Sequence, residues 1–436
     1  MNSAPPSRPG GPSPDAPGKS DGAPAFVSRF GPGLITGAAD DDPGGIATYS
    51  QAGAQFGFGL LWTLPFTLPL LVAVQEVSAR IGQVTGRGIM ANLRRSAPAP
   101  VLVIVALLLA IANTINLGAD LGAMAASVEL LAGGPRHLYT VLFGIGCAIA
   151  QIVIPYHSYV RFLKWTTASL LAYAATLLAV HVDWMDVLSA LVIPRIEPSR
   201  DYLVVMVAVF GTTISPYLLF WQAAEEVEEK RLKGDTRHLT ERAADQQVEF
   251  QRIRVDTWTG VTFAALIALA IEVTTAITLH GHGITDIASS EAAAEALRPI
   301  AGDFAFLAFA AGIIGTGLLA VPVLAGATAY AIGDALGREV GLEHTPRQAR
   351  TFYSVIAASI LVGIGIDFSP FDPVKALFWS AVLNGILVVP LIAVVMWLAS
   401  SRRVMGRYVI GWRLKLFGWA AFAVMAAAAI AMIATF

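Results

Sequence analysis

Three consecutive carboxylates, Asp40, Asp41 and Asp42, stand inside an apolar stretch of membrane-spanning length and run straight into Pro43-Gly44-Gly45. Charge at that depth is expensive unless it serves a site, and proline and glycine disfavour continuous helix. A second stretch, Gly211-Thr-Thr-Ile-Ser-Pro216, interrupts another apolar run in the same way. Asp and Ser are strong N-caps, proline is comfortable at the first helical position, and the residue before proline is pushed out of helical geometry. Each stretch therefore reads as a half-helix, an extended linker and a new half-helix beginning at the proline. Unwound backbone inside a bilayer is tolerated where its carbonyls line a cavity or bind something, and the C-terminal ends of the first halves could face a cation. Two breaks at membrane depth, one acidic, suit a cation transporter. The plainer reading is a pair of proline kinks with Asp42 and Ser215 as caps. It explains Ser215 as well, but it does not explain three adjacent acids.

Other polar residues sit within apolar runs. Asn113, Asn116 and Asp120 share about one face of a helix; they fit either a pathway lining or bonds between helices, and Asp120 leans towards the pathway. Glu272 lies well inside the seventh apolar run and reads as a pathway or proton-route acid, or as one paired internally. Asn384, next to Gly385, is a gating candidate. Glu76 and Arg80, four apart, read as a structural pair. His280 and His282 lack a third ligand nearby and read as solvated. Cys147 is the single cysteine and lies in an apolar run, so the chain forms no internal disulfide.

The elements that must position these groups follow from composition. Of 436 residues, 56% are hydrophobic and only 14% charged, too little charge to cover a soluble protein of this size. Eleven apolar segments run approximately 30–53, 57–80, 99–130, 138–155, 162–182, 202–229, 256–280, 303–333, 351–368, 375–399 and 414–436. Most approach the ~20 residues a bilayer requires. Residues 1–25 are rich in Pro, Gly and Ser and predict a disordered tail, with one transmembrane domain over 26–436. With the N-terminus placed in the cytoplasm, 24 of the 29 Lys and Arg residues fall on that side and 5 on the other. An odd number of spans then puts the C-terminus outside. Glu225 to Arg231 continues the sixth segment; a solvated helical face with pairs such as Glu226–Lys230 is the preferred reading over an ion exit vestibule.

The run Gly31-Pro-Gly-Leu-Ile-Thr-Gly, then Asp42-Pro-Gly-Gly, Gln51-Ala-Gly-Ala-Gln-Phe-Gly and Leu60-Leu-Trp62, resembles the opening of the Nramp family of divalent-metal transporters. Gln75-Glu-Val-Ser-Ala-Arg-Ile-Gly-Gln-Val-Thr-Gly-Arg87 is similar too, and the likeness continues more loosely to the end. The resemblance implies an all-α membrane protein of two inverted five-helix repeats (about 30–182 and 202–399) with broken first and sixth helices, a LeuT-like arrangement, plus an eleventh helix at about 414–436. It also implies a bound ion between the breaks. Carried over by position, Asp42 matches the metal-binding aspartate and Asp41 adjoins it. Gly45 falls where the family usually has a ligating asparagine, Thr212 near a position that offers a carbonyl, and Ser215-Pro-Tyr-Leu218 on a motif that usually reads Met-Pro-His-Asn. Asp120 matches a third-helix acid of the proton route, while Ala123 replaces the acid expected beside it.

Those departures have chemical consequences. Without the methionine thioether the site loses its soft ligand, and an all-oxygen set suits Mg²⁺, Ca²⁺ or Mn²⁺. Nramp-related magnesium transporters depart from the same site. Without the sixth-helix histidine and the second third-helix acid, proton coupling rests on fewer groups, although Asp42 could itself exchange a proton for a metal ion. The expected activity is secondary transport of divalent cations of the Mn²⁺, Fe²⁺ and Mg²⁺ class in a bacterial inner or plasma membrane, with protons as a possible co-substrate, lipid as the surroundings, and no cofactor or nucleic acid. Two other activities compete with it. One is symport of amino acids or other organic solutes on the same fold. The other is an intramembrane aspartyl protease, whose second acid would come from Gly363-Ile-Gly-Ile-Asp367.

Overall fold

A computed structural model describes residues 42–154, 177, 181–232, 246–287, 294, 302 and 305–435. Asp40, Asp41, the first half of the first span, the tail and most of the fifth segment lie outside these residues. Everything regular among the described residues is helical: α1 (Pro43–Phe56), α2 (Thr63–Thr85), α3 (Ile89–Ser96), α4 (Ala99–Ala132), α5 (Arg136–Val153), α6 (Trp184–Val192) and α7 (Arg200–Thr213). These are followed by α8 (Pro216–Leu232), α9 (Gln246–Thr278), α10 (Ala305–Leu336), α11 (Arg350–Asp367), α12 (Pro373–Ser400), the short α13 (Arg402–Met405) and α14 (Trp412–Ala434). Nine helices among the described residues are long and apolar enough to cross a membrane, with α7 and α8 together forming one of them.

Both interruptions form for the local reasons visible in their residues. Asp42 is extended (φ −67°, ψ 174°), its Oδ1 accepts the Gly45 N–H at 2.7 Å, and Pro43 opens α1. On the other span, α7 stops at Thr213 and α8 restarts at Pro216. Between them the Ser215 hydroxyl donates to the carbonyls of Thr212 (2.7 Å) and Gly211 (3.2 Å), which the broken ladder would otherwise leave bare. Asp372 caps Pro373 at the start of α12 in the same way, accepting from Val374 N at 2.9 Å.

The long α4 lies against α10, α11, α12 and α5, while α1 is held between α9, α7 and α12, and α8 lies on α2 and α10. Residues without side chains allow the closest approaches, since packing inside a membrane favours small residues at helix contacts. A Cβ on Gly211 of α7 would collide with the backbone of Gly385 and the Ala381 carbonyl of α12. The backbones of α7 and α12 therefore touch directly.

The polar end of α8 corrects the expectation of a solvated face. Glu225, Glu226 and Glu228 are each 1% exposed. Glu226 pairs with Arg252 of α9 at 2.6 Å instead of Lys230, and the Lys230 ammonium donates to the Gln83 carbonyl of α2 at 3.3 Å. Arg252 also reaches Glu229 (3.3 Å) and Glu249 (2.7 Å). Beside it Arg80 bonds Glu76 at 2.5 Å as expected and lies over the Phe250 ring, and Arg254 approaches Glu76 at 3.5 Å. The sequence could not indicate this network because Arg252 stands 26 residues after Glu226.

Candidate ion site between the two breaks

Asp42 is 3% exposed, and the groups around it come from three separate elements. Its Oδ1 takes the Gly45 N–H; its Oδ2 accepts from Asn116 Nδ2 of α4 at 3.0 Å and from the Tyr217 hydroxyl of α8 at 3.3 Å. Tyr217 stands one residue past Pro216, so the carboxylate that opens α1 touches the first turn of α8. The two interruptions meet at Asp42. Asn116 in turn accepts from the Ser380 hydroxyl of α12 at 2.8 Å, which fixes its amide orientation. A second bond ties the breaks together: the Tyr49 hydroxyl of α1 lies 2.8 Å from Thr213 Oγ1.

The residues singled out from the sequence fall as follows. Gly45 contributes its N–H to the cap and no side chain. Thr212 and Ser215 are buried at the gap, with the serine proton engaged by carbonyls, so the serine oxygen keeps its acceptor capacity. Asp120 is fully buried one turn beyond Asn116 and within electrostatic reach of Asp42, and neither of its oxygens has a hydrogen-bond partner in the protein. Glu272 is likewise fully buried with both oxygens unpartnered, but on α9. Asn384 is buried on α12 beside the contact between Gly385 and α7. Asn113 donates to Thr328 of α10 at 3.0 Å and so serves helix packing. His280 and His282 bond backbone carbonyls of Ala54 (2.9 Å) and Thr278 (2.6 Å). Asp367 is occupied at the start of α5, with Thr140 at 2.6 Å and His137 at 3.2 Å.

Tyr217 and Ser380 are the functional candidates that sequence reasoning passed over. Tyr217 occupies the third position of the Ser215-Pro-Tyr-Leu motif, and a phenol there could have been noted as an oxygen at the mouth of the new half-helix. Among the described residues no three His, Cys, Asp or Glu side chains come together as a metal cluster. The geometry instead offers one carboxylate with neutral oxygens from Asn116, Tyr217, Ser215 and the gap carbonyls, a hard donor set. The 3.3 Å Tyr217 contact is the longest bond to Asp42, and so the one most readily exchanged for an ion.

A cavity of about 370 Å³ lies at one end of the bundle, lined by Ala47 and Gln51 of α1, Asp201 and Val205 of α7, and Val374 and Phe378 of α12. The Arg252 ion pairs lie at the other end of the bundle.

Residues 33–435 match the profile of the natural resistance-associated macrophage protein-like family, Nramp. The chain belongs to the Nramp family. It is 26% identical over 405 residues to a protein of Verminephrobacter eiseniae named divalent metal cation transporter MntH, spanning 90% of this chain and 85% of that one. A protein of the same name from Deinococcus radiodurans is 26% identical over 406 residues, 89% and 86% of the two chains. In structure this Nramp protein resembles the manganese transporter of Eremococcus coleocola, with TM-score 0.71 and 17% identity over 96% of this chain and 88% of that one. It also shares its fold with Mhp1, a nucleobase-cation-symport-1 family transporter, with TM-score 0.57 and 16% identity over 94% of each chain. The fold is therefore the expected all-helical transporter fold, in a multi-pass membrane protein that is not an enzyme.

Proposed function

We propose that this Nramp protein moves divalent metal cations across the membrane by alternating access, holding the ion between Asp42 and the Ser215 gap. The observation that carries the site is the contact of Asp42 with Tyr217: a carboxylate at one interruption is bonded to the half-helix that begins at the other. Asp42 supplies the full charge; the carbonyl of Thr212, the hydroxyls of Ser215 and Tyr217 and the amide of Asn116 supply neutral oxygens; Gly45 holds the carboxylate in place through its N–H. Asp41 flanks this group in sequence. The donor set favours Mg²⁺ or Mn²⁺ and gives Cd²⁺ no soft partner. The ion enters through the vestibule beside Gln51 and Asp201, with Asn384 beside the close contact between α12 and α7, and leaves past α8 once the Arg252 network opens.

Orientation follows the Lys and Arg bias, with the vestibule facing outward, the Arg252 end in the cytoplasm and the C-terminus outside. Residues 26–436 then form one transporter domain behind a tail of 1–25, in lipid, with Asp120 and Glu272 as the acids available for proton movement. Asp42→Ala in liposomes loaded with a metal-sensitive dye tests the site. Uptake of Mn²⁺ and Mg²⁺ is expected to vanish, and uptake at the wild-type rate would reject Asp42 as the ligand.

A further inference from the structure

Among the described residues, two buried carboxyl groups have no protein hydrogen bond to either oxygen: Asp120 and Glu272. Asp120 is in electrostatic contact with Asp42 and belongs to the ion site. Glu272, named above as an acid available for proton movement, lies outside the ion site. It lies on α9 six residues short of the helix end, about 9 Å by helical rise. It is fully buried in the wall where α9 packs on α1 and α2, with Tyr202 of α7 within electrostatic reach.

That wall is built for close contact. A Cβ on Gly53 of α1 would run into the Glu272 carbonyl and Thr275 Oγ1, so α1 and α9 touch with nothing between them. Past Gly53, the Ala54 carbonyl bonds His280, and Gln51 Oε1 accepts the Ile287 N–H at 2.9 Å. From α7, Tyr202 packs its ring edge-on to Phe56 of α1 and lies within electrostatic reach of both Glu272 and Glu197. Its hydroxyl donates to the Arg195 carbonyl at 3.0 Å, so Tyr202 stands between Glu272 and the loop at the vestibule end.

Among the described residues no cation faces Glu272. The only titratable side chain on α1 is Tyr49, whose hydroxyl is engaged with Thr213. On α7, Arg200 and Asp201 line the vestibule and only Tyr202 faces inward. On α2, Glu76 and Arg80 sit at the opposite end of the bundle. His280 and His282 are engaged with backbone carbonyls. A carboxylate sealed here would have neither counter-ion nor donor, whereas the neutral acid is tolerated.

We infer that Glu272 binds a proton, at a site separate from the metal's, whenever α1, the outer half of the first interrupted span, is closed against α9. The inference rests on the transport reading above and adds a second ligand to it. Closing the wall takes up one proton from the outer side through the Tyr202 end, and loosening it lets the proton go. Glutamine at this position has the shape of the neutral acid and cannot lose a proton. Glu272→Gln is therefore expected to keep metal uptake and lose its dependence on external pH. Wild-type uptake should rise as the outside is acidified, by up to about tenfold per pH unit, the limit for one proton. Glu272→Asp should keep a pH dependence.

Metal uptake into liposomes at a series of external pH values, with internal pH fixed, reads this directly. A Glu272→Gln profile that follows the wild type overturns the proton site. Infrared spectra give a second readout on purified protein. The component of the un-ionised carboxylic acid band that belongs to Glu272 should be present in the wild type, missing from the Glu272→Gln difference spectrum and displaced in Glu272→Asp. Loss of a carboxylate band in its place overturns the proposal even if the Gln variant fails to transport. Wild-type protein that moves no divalent metal at any pH would reject the transport reading, and the infrared result would still decide the proton site.

Discussion

At Asp42 three neutral donors converge on one carboxylate, and they are not equivalent. Asn116 donates at 3.0 Å and is itself held by Ser380, so its loss takes the shorter of the two side-chain bonds from the buried carboxylate, while the Ser380 hydroxyl keeps the Leu377 carbonyl at 2.7 Å. Tyr217 donates at 3.3 Å, and its loss leaves a smaller gap. A stranded buried partner costs about 1–3 kcal/mol, while a typical hydrogen bond contributes about 0.5–1.5 kcal/mol net. Asn116→Ala should thus weaken metal affinity roughly ten- to hundredfold and Tyr217→Phe by less than about tenfold. Calorimetric titration of Mn²⁺ checks the order, and a larger loss in Tyr217→Phe would contradict it. Substituting Ser215→Met restores a thioether at the gap and should raise preference for Cd²⁺ over Mg²⁺ in competition uptake. An unchanged ratio would show that position 215 does not face the ion. Asp42 and Ser215 were legible in the sequence because capping before proline is a local rule. Tyr217 and Asn116 were not legible as partners of Asp42, since their contacts cross 175 and 74 residues of chain.

Among the elements, the most informative is α8, a half-helix whose far end is acidic yet buried. Its sequence reads as a solvated extension because hydropathy sees charge and not the helix that covers it. The cover is the first turns of α9, where Arg252 collects Glu226, Glu229 and Glu249. Removing one partner of a buried ion pair costs about 3–5 kcal/mol because the other charge is left unpaired. Glu226 is the buried member, so Arg252→Ala should loosen α8 from α9 and open the cytoplasmic end. The background for measuring this is low, as Cys147 is the single cysteine and is buried. In an Ala223→Cys protein, Arg252→Ala should raise labelling by a membrane-impermeant thiol reagent from the cytoplasmic side severalfold. Equal labelling with and without Arg252 would count against the network as a closure. The helices themselves were readable from hydropathy, which is a property of the segment. Which charged ends are covered is a property of packing.

For the whole molecule, hydropathy and the two interruptions sufficed to indicate a broken-helix transporter, and the family match agrees with them. What they left open was how the moving parts are divided. Gly211 and Gly385 bring α7 and α12 into backbone contact, with the Val207 side chain packed beside it. Sliding at such a contact would drive backbone into backbone, so α7 and α12 are expected to keep one separation through the transport cycle, whereas α1 and α9, also in backbone contact at Gly53, part when the wall loosens. Spin labels on α7 and α12 should therefore report one unchanging separation with and without metal, while a label pair across α1 and α9 reports two. Gly211→Val, which wedges the pair apart, should slow every turnover irrespective of which ion is offered.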